Sequence, residues 1–175
     1  MLYQQKVIPG VYFAVSNGAT RNAWEVGLAA YPYLKSVLCG RDYLSENYSS
    51  SVEMGKKSFL EIWEKLPQNA EENVGEGDEK MPTEITYQRD EAGYVLYLQY
   101  RGKRVSGESF RQAYGLASAC FYMKEEADRI HITVKGSGHG LGMSLYGAEN
   151  LASEGKSCEE ILKYFFHDVT IAKIE

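Results

Sequence analysis

A glycine-rich segment in the C-terminal third constrains this chain more than any other feature of its sequence. Residues 136–142 read GSGHGLG and carry a glycine at every second position. Glycine lacks a Cβ atom and adopts positive φ angles at little cost, so such a segment can pass where other residues would clash. The residues that follow predict a helix, whose first N–H groups favour a negative charge or a polarised oxygen. The sequence therefore predicts a tight loop at a binding site.

Two common glycine-rich nucleotide motifs do not fit this loop. A P-loop requires Gly-Lys-Ser/Thr, and residues 136–142 contain no lysine. A Rossmann fingerprint can be forced onto Gly136 and Gly138, but no acidic residue follows at the spacing that binds a ribose. We therefore reject both nucleotide interpretations.

His139 stands at the centre of the loop. No neighbour in the sequence offers a large side chain that would bury it, which favours a functional role over a hydrogen bond to the loop backbone. His131, inside a predicted strand, and His167, just after a predicted helix, are expected to be structural. Ser144 falls in the first turn of the next helix and can point into the same cleft. Because no G-x-S-x-G elbow surrounds it, a nucleophilic serine is not expected.

Length and composition indicate one ordinary globular domain. The 175 residues (19.7 kDa) are 44% hydrophobic and 25% charged, which is typical of a chain with a hydrophobic core. No apolar stretch approaches the ~20 residues that cross a bilayer. The net charge of -5 argues against nucleic acid as a main partner, because phosphate neutralisation needs a basic face. The fourteen tyrosines fit a sugar-binding surface and half-exposed β-sheets equally well.

The cysteines give no sign of a metal or redox site. Cys39, Cys120 and Cys158 are far apart in the sequence and have neither C-x-x-C spacing nor the density of a disulfide scaffold. We interpret them as separate small apolar side chains. No metal and no cofactor are expected.

Hydrophobic periodicity and capping signals predict helices near residues 58–66, 143–152 and 157–166. Ser58 with Glu61, and Ser157 with Glu160, have the spacing of a capping box, in which each side chain satisfies a free N–H group at the helix start. Pro67 follows the first of these helices and is expected to end it.

The remaining pattern is mainly β. Strands are predicted within 4–16 and over 84–89, 94–101, 104–106, 117–124, 129–134 and 168–174, with a helical turn at 109–114. The turns at 90–93 and 101–103 are good hairpin connections, so the strands from 84 to 134 are predicted to form a meander. Residues 68–82 are acidic and predict a solvated loop, with a cation-binding loop as the alternative, although no EF-hand spacing is present. The predicted fold is one α+β domain over residues 1–175, rich in antiparallel strands.

Three blocks of the chain resemble the stage II sporulation protein D family. Residues 136–166, GSGHGLGMSLYGAENLASEGKSCEEILKYFF, resemble a family pattern of G-x-G-x-G-H-G-x-G-M-S-Q-x-G-A, a helix, a Gly-Lys turn and E-I-L-x-x-Y-Y. Residues 106–121 resemble its S-G…R…G-L-x-S-x-x-F block. Residues 16–20 and 33–37 resemble its S-G-G-x-T…Y-L-x-S-V stretch.

The resemblance implies peptidoglycan chemistry of the lytic transglycosylase type, linked to sporulation or cell-wall remodelling. Such enzymes cut the glycan strand without water, because the muramoyl 6-hydroxyl attacks C1 and leaves a 1,6-anhydro end. One carboxylic acid suffices, since the nucleophile belongs to the substrate. The implied partners are peptidoglycan glycan strands and proteins of the cell-wall remodelling machinery.

The resemblance also implies a substrate groove. The candidate substrate-binding residues are Arg111, Gly138, His139, Gly140, Ser144 and Tyr146. His139 and Ser144 would hydrogen-bond sugar hydroxyls or N-acetyl groups, and the two glycines would let the glycan approach the backbone. Arg111 is a candidate for contacting a muramoyl carboxylate. In the alternative interpretation, Arg111 is a surface charge and Tyr146 belongs to the core.

The chain also departs from the family pattern. The family's catalytic glutamate lies in an N-terminal segment of the type L-x-x-Y-V-x-G-V-V-x-x-E-M-P, which this sequence does not contain. Neither Glu25, Glu46, Glu53 nor Glu61 lies in a matching motif, so the catalytic residue is unknown. A truncated chain, a misassigned start codon and a pseudoenzyme all fit. The alternative function is therefore a non-catalytic remnant that binds peptidoglycan or a partner protein.

Two smaller departures concern the predicted site. Leu145 stands where the family usually has glutamine beside the serine, which removes hydrogen-bonding groups from the predicted groove. Some relatives carry cysteine and histidine around the positions of residues 16–20. This chain has neither there, so a zinc site is not supported.

The resemblance makes a further prediction about location. Peptidoglycan lies outside the cytoplasmic membrane, yet the first residues, MLYQQK, do not resemble a signal peptide. We expect the gene to encode an upstream hydrophobic segment that places the domain at the cell wall or in the intermembrane space. Without such a segment the protein would be cytoplasmic.

Overall fold

Two three-stranded antiparallel sheets and four helices form the main part of the fold, which is the α+β class predicted from the sequence. The computed structural model describes residues 1–68 and 85–172. The strands are β1 (Leu2–Tyr3), β2 (Lys6–Val7), β3 (Tyr12–Phe13), β4 (Ser49–Gly55), β5 (Thr86–Arg89), β6 (Val95–Tyr100), β7 (Lys103–Ser106), β8 (Phe121–Glu126), β9 (Arg129–Lys135), β10 (Met143–Ser144) and β11 (Val169–Thr170). The helices are α1 (Lys56–Lys65), α2 (Gly107–Ala113), α3 (Leu145–Ser153) and α4 (Cys158–Phe165).

The strands from 86 to 135 do not form one meander, because they divide between two sheets. One sheet has the order β5-β6-β7 and the other the order β4-β9-β8. Strand β4, which the sequence did not predict, pairs with β9 along its whole length, from Ser49 opposite Lys135 to Gly55 opposite Arg129. Its sequence SSSVEMG contains one β-branched hydrophobic residue, so its β signal is weak.

The other strand predictions are confirmed with shifted ends. The strand predicted from residue 117 begins at Phe121, because the residues before it bond to neighbouring segments instead. The Ala119 carbonyl accepts from the Val95 N–H, and the Cys120 carbonyl accepts from the Lys135 N–H. The hairpin turn at 101–102 has positive φ at Arg101 and at Gly102, as expected for a two-residue connection.

Helix α1 starts two residues earlier than predicted, and the Ser58–Glu61 capping box is wrong. The N-cap residue is Gly55, and no side chain caps this end. The N–H of Lys56 donates instead to the carbonyl of Asp128, 2.6 Å away in the turn between β8 and β9. A tertiary contact therefore replaces the local cap. The helix ends at Lys65, before Pro67, as predicted.

Helices α3 and α4 confirm the two predictions at the C-terminal end. Helix α3 begins at Leu145 rather than near 143, because Met143–Ser144 pair as a short parallel strand with Tyr12–Phe13. Ser144 is its N-cap residue, and its side chain accepts from the Gly147 N–H. Helix α4 has the predicted capping box, in which both reciprocal bonds between Ser157 and Glu160 are present.

Two main clusters of buried side chains hold these elements together. The first joins α1 and α2 to the sheets β4-β9-β8 and β5-β6-β7, and Phe59, Trp63 and Phe110 at its centre are fully buried. The second packs α3 and α4 against the N-terminal segment, with Tyr33 and Phe165 as large members. Both clusters exclude water from aromatic side chains, which contributes most of the hydrophobic stabilisation.

The ends of the described chain meet in a small sheet of the order β11-β1-β2. This confirms a strand near the C-terminal end, with Val169–Thr170 paired against Leu2–Tyr3. Most of the acidic segment predicted over 68–82 lies outside the described residues. In the described part of the chain, no helix has the length and apolar character needed to span a bilayer.

Candidate functional site

The glycine-rich loop 136–142 packs against the N-terminal segment of the chain. Val15 and Ser137 exchange two backbone hydrogen bonds of 3.0 and 2.7 Å, and the Gly138 N–H donates to the Ala117 carbonyl at 2.9 Å. The loop is thus fixed between segments that are far apart in the sequence. This position places the half-buried His139 at the lining of a cleft.

The glycines serve packing within the chain rather than the close approach of a ligand, which corrects the expectation for Gly138 and Gly140. A Cβ atom on Gly138 (φ +114°) would lie 2.6 Å from Cβ of Phe13. A Cβ atom on Gly140 (φ +80°) would lie 2.6 Å from Cζ of Tyr94. The chain's own side chains therefore occupy the space in which we expected a glycan to approach the backbone.

His139 is half-buried, and its ring contacts both the loop and the N-terminal segment. Its Nδ1 accepts from the Leu141 N–H at 3.1 Å, and the ring also hydrogen-bonds the backbone of Tyr12. The Phe13 ring lies 5.6 Å away between centroids. Burial lowers the pKa of His139, and the positive charges of Arg111 and Arg21 lower it further, against the opposing effect of the Tyr12 bond. The imidazole is therefore neutral near pH 7.

An open cleft of about 480 Å³ lies beside His139. It is formed by residues 21–28, strand β6, the β7–α2 junction and the loop. Its polar lining side chains include Arg21, Glu25, Ser106, Glu108 and His139, and Leu28, Val95 and Leu141 supply apolar wall. The cleft thus combines apolar surface with both signs of charge, as ligand pockets commonly do.

Arg21 links the cleft to the loop through buried contacts. Its Nε lies 2.6 Å from Oδ2 of Asp90, and both side chains are almost fully buried. Its guanidinium stacks over the Tyr94 ring, 4.8 Å from the centroid, and an Nη1–H donates to the His139 carbonyl at 3.4 Å. One cation therefore fixes the backbone position of His139 and contributes to the cleft wall.

Two carboxylates face the cleft, and neighbouring donors orient both. Glu25 accepts from the Asn22 side chain and from the Glu91 N–H, each at 2.9 Å. Glu108 accepts from Arg111 and Gln112, each at 3.0 Å. These contacts hold the carboxylates in place as acceptors for further donors.

Ser144 does not belong to the cleft, which corrects the expectation that it contacts sugar. Its side chain is fully buried, and its hydroxyl donates to Oδ2 of Asp42 at 2.6 Å. Oγ of Ser144 also accepts from the Gly147 N–H at 3.2 Å. The serine therefore joins the start of α3 to Asp42, and its hydroxyl is engaged within the chain.

The structure does not bring the remaining candidates into the cleft lining either. Arg111 pairs with Glu108 and donates to the Leu116 carbonyl at 3.3 Å, so it orients a cleft carboxylate from behind. Tyr146 is half-buried in the first turn of α3, where its N–H donates to the Ala14 carbonyl. Leu145 is exposed. Of the six candidates, His139 therefore lines the cleft, and Gly138 and Gly140 flank it in the loop.

Sequence reasoning missed most residues of the cleft. Glu25 lies in no family motif, and no local pattern singles out Arg21 or Glu108. Family-like blocks are nonetheless close to both: Arg21 directly follows residues 16–20, and Glu108 lies within residues 106–121, three positions before Arg111. That proximity was a usable signal, since helical residues three apart share a face.

Other titratable side chains lie elsewhere. His131 is a half-exposed residue of β9, 3.4 Å from a Glu53 carboxylate oxygen. His167 donates its backbone N–H to the Tyr33 carbonyl. Within residues 1–68 and 85–172, no three side chains of histidine, cysteine, aspartate or glutamate come together as a metal site.

The chain was compared with known proteins. Stage II sporulation protein D of Bacillus amyloliquefaciens is 34% identical over 177 aligned positions, which cover 100% of this chain and 48% of that protein. The protein of the same name in Bacillus subtilis (strain 168) is 33% identical over 177 positions with the same coverage. An amidase enhancer of Bacillus subtilis is 41% identical over 49 positions, 28% of this chain and 7% of that protein. No family model matches the chain.

The chain spans about half the length of the stage II sporulation proteins D that it matches. Within that half, the similarity runs from end to end and so includes the loop, the cleft and α3 with α4. Along its whole length the chain is homologous to stage II sporulation protein D, and this homology supports its place in that family.

Proposed function

We propose that the cleft beside His139 binds the glycan strand of peptidoglycan, in a protein of sporulation or cell-wall remodelling. The observation that carries this proposal is the open cleft itself, with oriented carboxylates and a neutral imidazole beside apolar wall. Sugar hydroxyls donate well to fixed carboxylates, and N-acetyl methyl groups suit apolar surface. The names of the relatives, stage II sporulation protein D and amidase enhancer, support the cell-wall setting.

The proposed reaction is lytic transglycosylation by the whole protein. A carboxylic acid protonates the glycosidic oxygen as the C1–O bond breaks, and the resulting carboxylate accepts the proton of the muramoyl 6-hydroxyl as the new C1–O6 bond forms. Water is not consumed, and the product has a 1,6-anhydro-muramoyl end. The cleft described above would hold the strand for this step.

The second candidate is a non-catalytic peptidoglycan-binding domain, and the contacts of the cleft carboxylates favour it. Glu25 and Glu108 each accept from two neighbouring donors within 3.0 Å. A general acid must offer a proton to the leaving oxygen, whereas carboxylates so surrounded act as acceptors. In this alternative the two glutamates accept hydrogen bonds from sugar hydroxyls, and neither acts as the general acid.

Binding is tested with purified insoluble peptidoglycan and the purified chain. We expect the wild-type chain to bind, and Glu25→Gln and Glu108→Gln to weaken binding by about tenfold, because each removes a charged acceptor. Glu53→Gln is the matched control, since Glu53 pairs with Arg129 on the surface of β4. Absence of wild-type binding, or equal binding by all variants, contradicts the proposal.

Catalysis is tested separately by digesting peptidoglycan with this chain and with the complete protein encoded by its gene. Mass spectrometry of the released fragments distinguishes 1,6-anhydro-muramoyl ends from reducing ends. Anhydro ends produced by the complete protein support lytic transglycosylation. Binding without cleavage by either protein supports the non-catalytic alternative.

We also propose that the protein acts outside the cytoplasmic membrane, because peptidoglycan lies there. The test is fractionation of a producing bacterium, with an antibody raised against this chain. Recovery with the wall or membrane fraction agrees with the proposal, and recovery in the cytoplasm alone contradicts it.

A further inference from the structure

A second cavity lies between residues 38–42 and helices α3 and α4. Its volume is about 140 Å³, and it shares no lining residue with the cleft beside His139. Leu151 and Phe165 form apolar wall. Among its lining residues, Arg41 and Glu154 form an ion pair of 3.0 Å between exposed side chains. The function proposed for the cleft makes no use of this cavity.

The cavity contains a buried carboxylate with one free oxygen. Asp42 lines it and is fully buried. Oδ2 accepts from the Ser16 N–H at 2.7 Å and from the Ser144 hydroxyl at 2.6 Å, whereas Oδ1 has no hydrogen-bond partner among the described residues. Buried polar atoms without a partner are rare and costly, so this one points to a ligand.

The position of Oδ1 shows where that ligand would bind. A Cβ atom on Gly147 would lie 3.2 Å from Oδ1 and 3.3 Å from Cζ of Phe165. Oδ1 therefore faces the first turn of α3 beside the Phe165 ring, and Gly147 and Phe165 both line the cavity. Asn150, one turn further along α3, supplies an amide group to the same cavity.

We propose that this cavity binds an alkylammonium group, the end of a lysine-type side chain in a peptide. The ammonium would donate to Oδ1 of Asp42, and its methylene groups would contact Leu151 and Phe165. The size agrees, because cavities of about 150 Å³ hold a benzene-sized molecule. None of the ion pairs formed within the described ranges includes Asp42, so a ligand cation would be its first close counter-charge.

The neighbouring groups argue against the other ligand classes. Divalent cations take several oxygen, nitrogen or sulfur ligands, and the described residues bring no three acidic, histidine or cysteine side chains together. Burial raises the pKa of the Cys39 thiol to about 12, so no thiolate is present to attract a soft metal. An anion would face an uncompensated carboxylate. A monovalent organic cation with a short apolar stem fits both the apolar wall of the cavity and the carboxylate of Asp42.

The test compares two peptides by NMR titration of the isotope-labelled chain. Acetyl-Ala-Lys-Ala-amide carries the ammonium, and acetyl-Ala-norleucine-Ala-amide has the same stem without it. We expect saturable shifts of the Gly147 and Leu151 amides with the lysine peptide, and at least tenfold weaker binding of the norleucine peptide. Equal affinities, or the absence of shifts around the cavity, would overturn the proposal and assign Oδ1 a water molecule.

Two variants probe the cavity from different sides. Asp42→Asn removes the charge, and Gly147→Ala keeps the carboxylate but narrows the space beside Oδ1. Each is expected to weaken lysine-peptide binding at least tenfold, while Lys163→Ala on the outer face of α4 leaves it unchanged. If Asp42→Asn does not fold, Gly147→Ala decides the question. Wild-type affinity in a folded Gly147→Ala variant contradicts the proposal, and these outcomes do not depend on whether the cleft binds glycan.

Discussion

At the scale of single residues, two effects can make a glycine necessary: a positive φ angle and close packing against a neighbour. Substitutions at two glycines separate the two effects. Gly140 and Gly155 both have positive φ, +80° and +88°, but a Cβ atom on Gly155 would have no neighbour within 4 Å. Gly155→Ala should therefore cost about 1–2 kcal/mol for the backbone conformation alone. Gly140→Ala should cost a further 1–3 kcal/mol or so, because its Cβ atom meets Tyr94. Urea denaturation measures both, and equal losses would contradict the packing argument.

His139 makes a second residue-scale prediction, which concerns pH. Burial lowers its pKa in the folded state, so the unfolded chain binds more protons as the pH falls below about 6.5. The stability that depends on the neutral imidazole is therefore present above the unfolded pKa and is lost as the pH falls. We expect the unfolding temperature to decline less between pH 7.5 and 5 in His139→Gln than in wild type. His131→Gln, which removes a half-exposed histidine of β9 outside the cleft, serves as the matched control.

The sequence allowed His139 to be chosen but not Ser144 to be interpreted. The histidine stands among glycines, so local sequence already predicted a side chain not covered by its neighbours, and the structure places it at the cleft. The partner of Ser144 is Asp42, 102 positions away. Because no local pattern reports such a contact, a capping serine and a ligand-binding serine look the same in the sequence. No local pattern in the sequence pairs Arg21 with Asp90 either, since the two are far apart along the chain.

At the scale of elements, the helices whose caps are local were predicted best. Helix α4 carries both capping groups within four residues, and its start was predicted to within one residue. Helix α1 is capped by the carbonyl of Asp128, which belongs to the turn between β8 and β9. Strand β4 depends in the same way on its partner β9, which covers it along seven residues. Contacts distant in sequence decide these ends, so periodicity alone cannot place them.

The two serine caps give a matched pair of element-scale variants. Ser157→Ala removes an exposed capping box and should cost about 1 kcal/mol. Ser144→Ala removes a cap together with a buried hydrogen bond to the Asp42 carboxylate, so we expect a loss of about 2–4 kcal/mol. Thermal or urea unfolding compares them. A Ser144→Ala variant as stable as Ser157→Ala would show that the Asp42 contact contributes little.

At the scale of the whole molecule, polar contacts join the N-terminal segment to parts of the chain that are far away in the sequence. The Arg21–Asp90 pair connects the N-terminal segment to the β5–β6 turn. The side-chain amide of Asn17 donates to the Ala92 carbonyl, at 2.6 Å, and contacts Sγ of Cys120. Breaking the buried Arg21–Asp90 pair costs several kcal/mol, so separating the N-terminal segment from the β5–β6 turn should cost far more than local fraying. That residues 1–175 fold as one domain stays a prediction, which unfolding experiments test.

Two buried cysteines report on this cooperativity from different parts of the molecule. Cys39 belongs to the cluster around α3 and α4, and Cys120 packs beside Tyr94 next to the three-stranded sheets. Burial raises the pKa of both thiols, that of Cys39 to about 12, so neither should react with a disulfide reagent in the native state at pH 8. Cys158 is exposed and should react at once, which makes a Cys158→Ser background necessary.

In that background, Cys39→Ser leaves Cys120 as the single thiol and Cys120→Ser leaves Cys39. If the chain unfolds as one unit, the two thiols become reactive at the same urea concentration. Each midpoint is first corrected for the stability of its own variant, which is measured by fluorescence. If the clusters unfold separately, the thiol of the weaker one reacts at lower urea while the other stays protected. Because the contacts of Arg21 and Asn17 join the N-terminal segment to the β5–β6 turn and to Cys120, we expect a single transition, and Arg21→Met should separate the two midpoints.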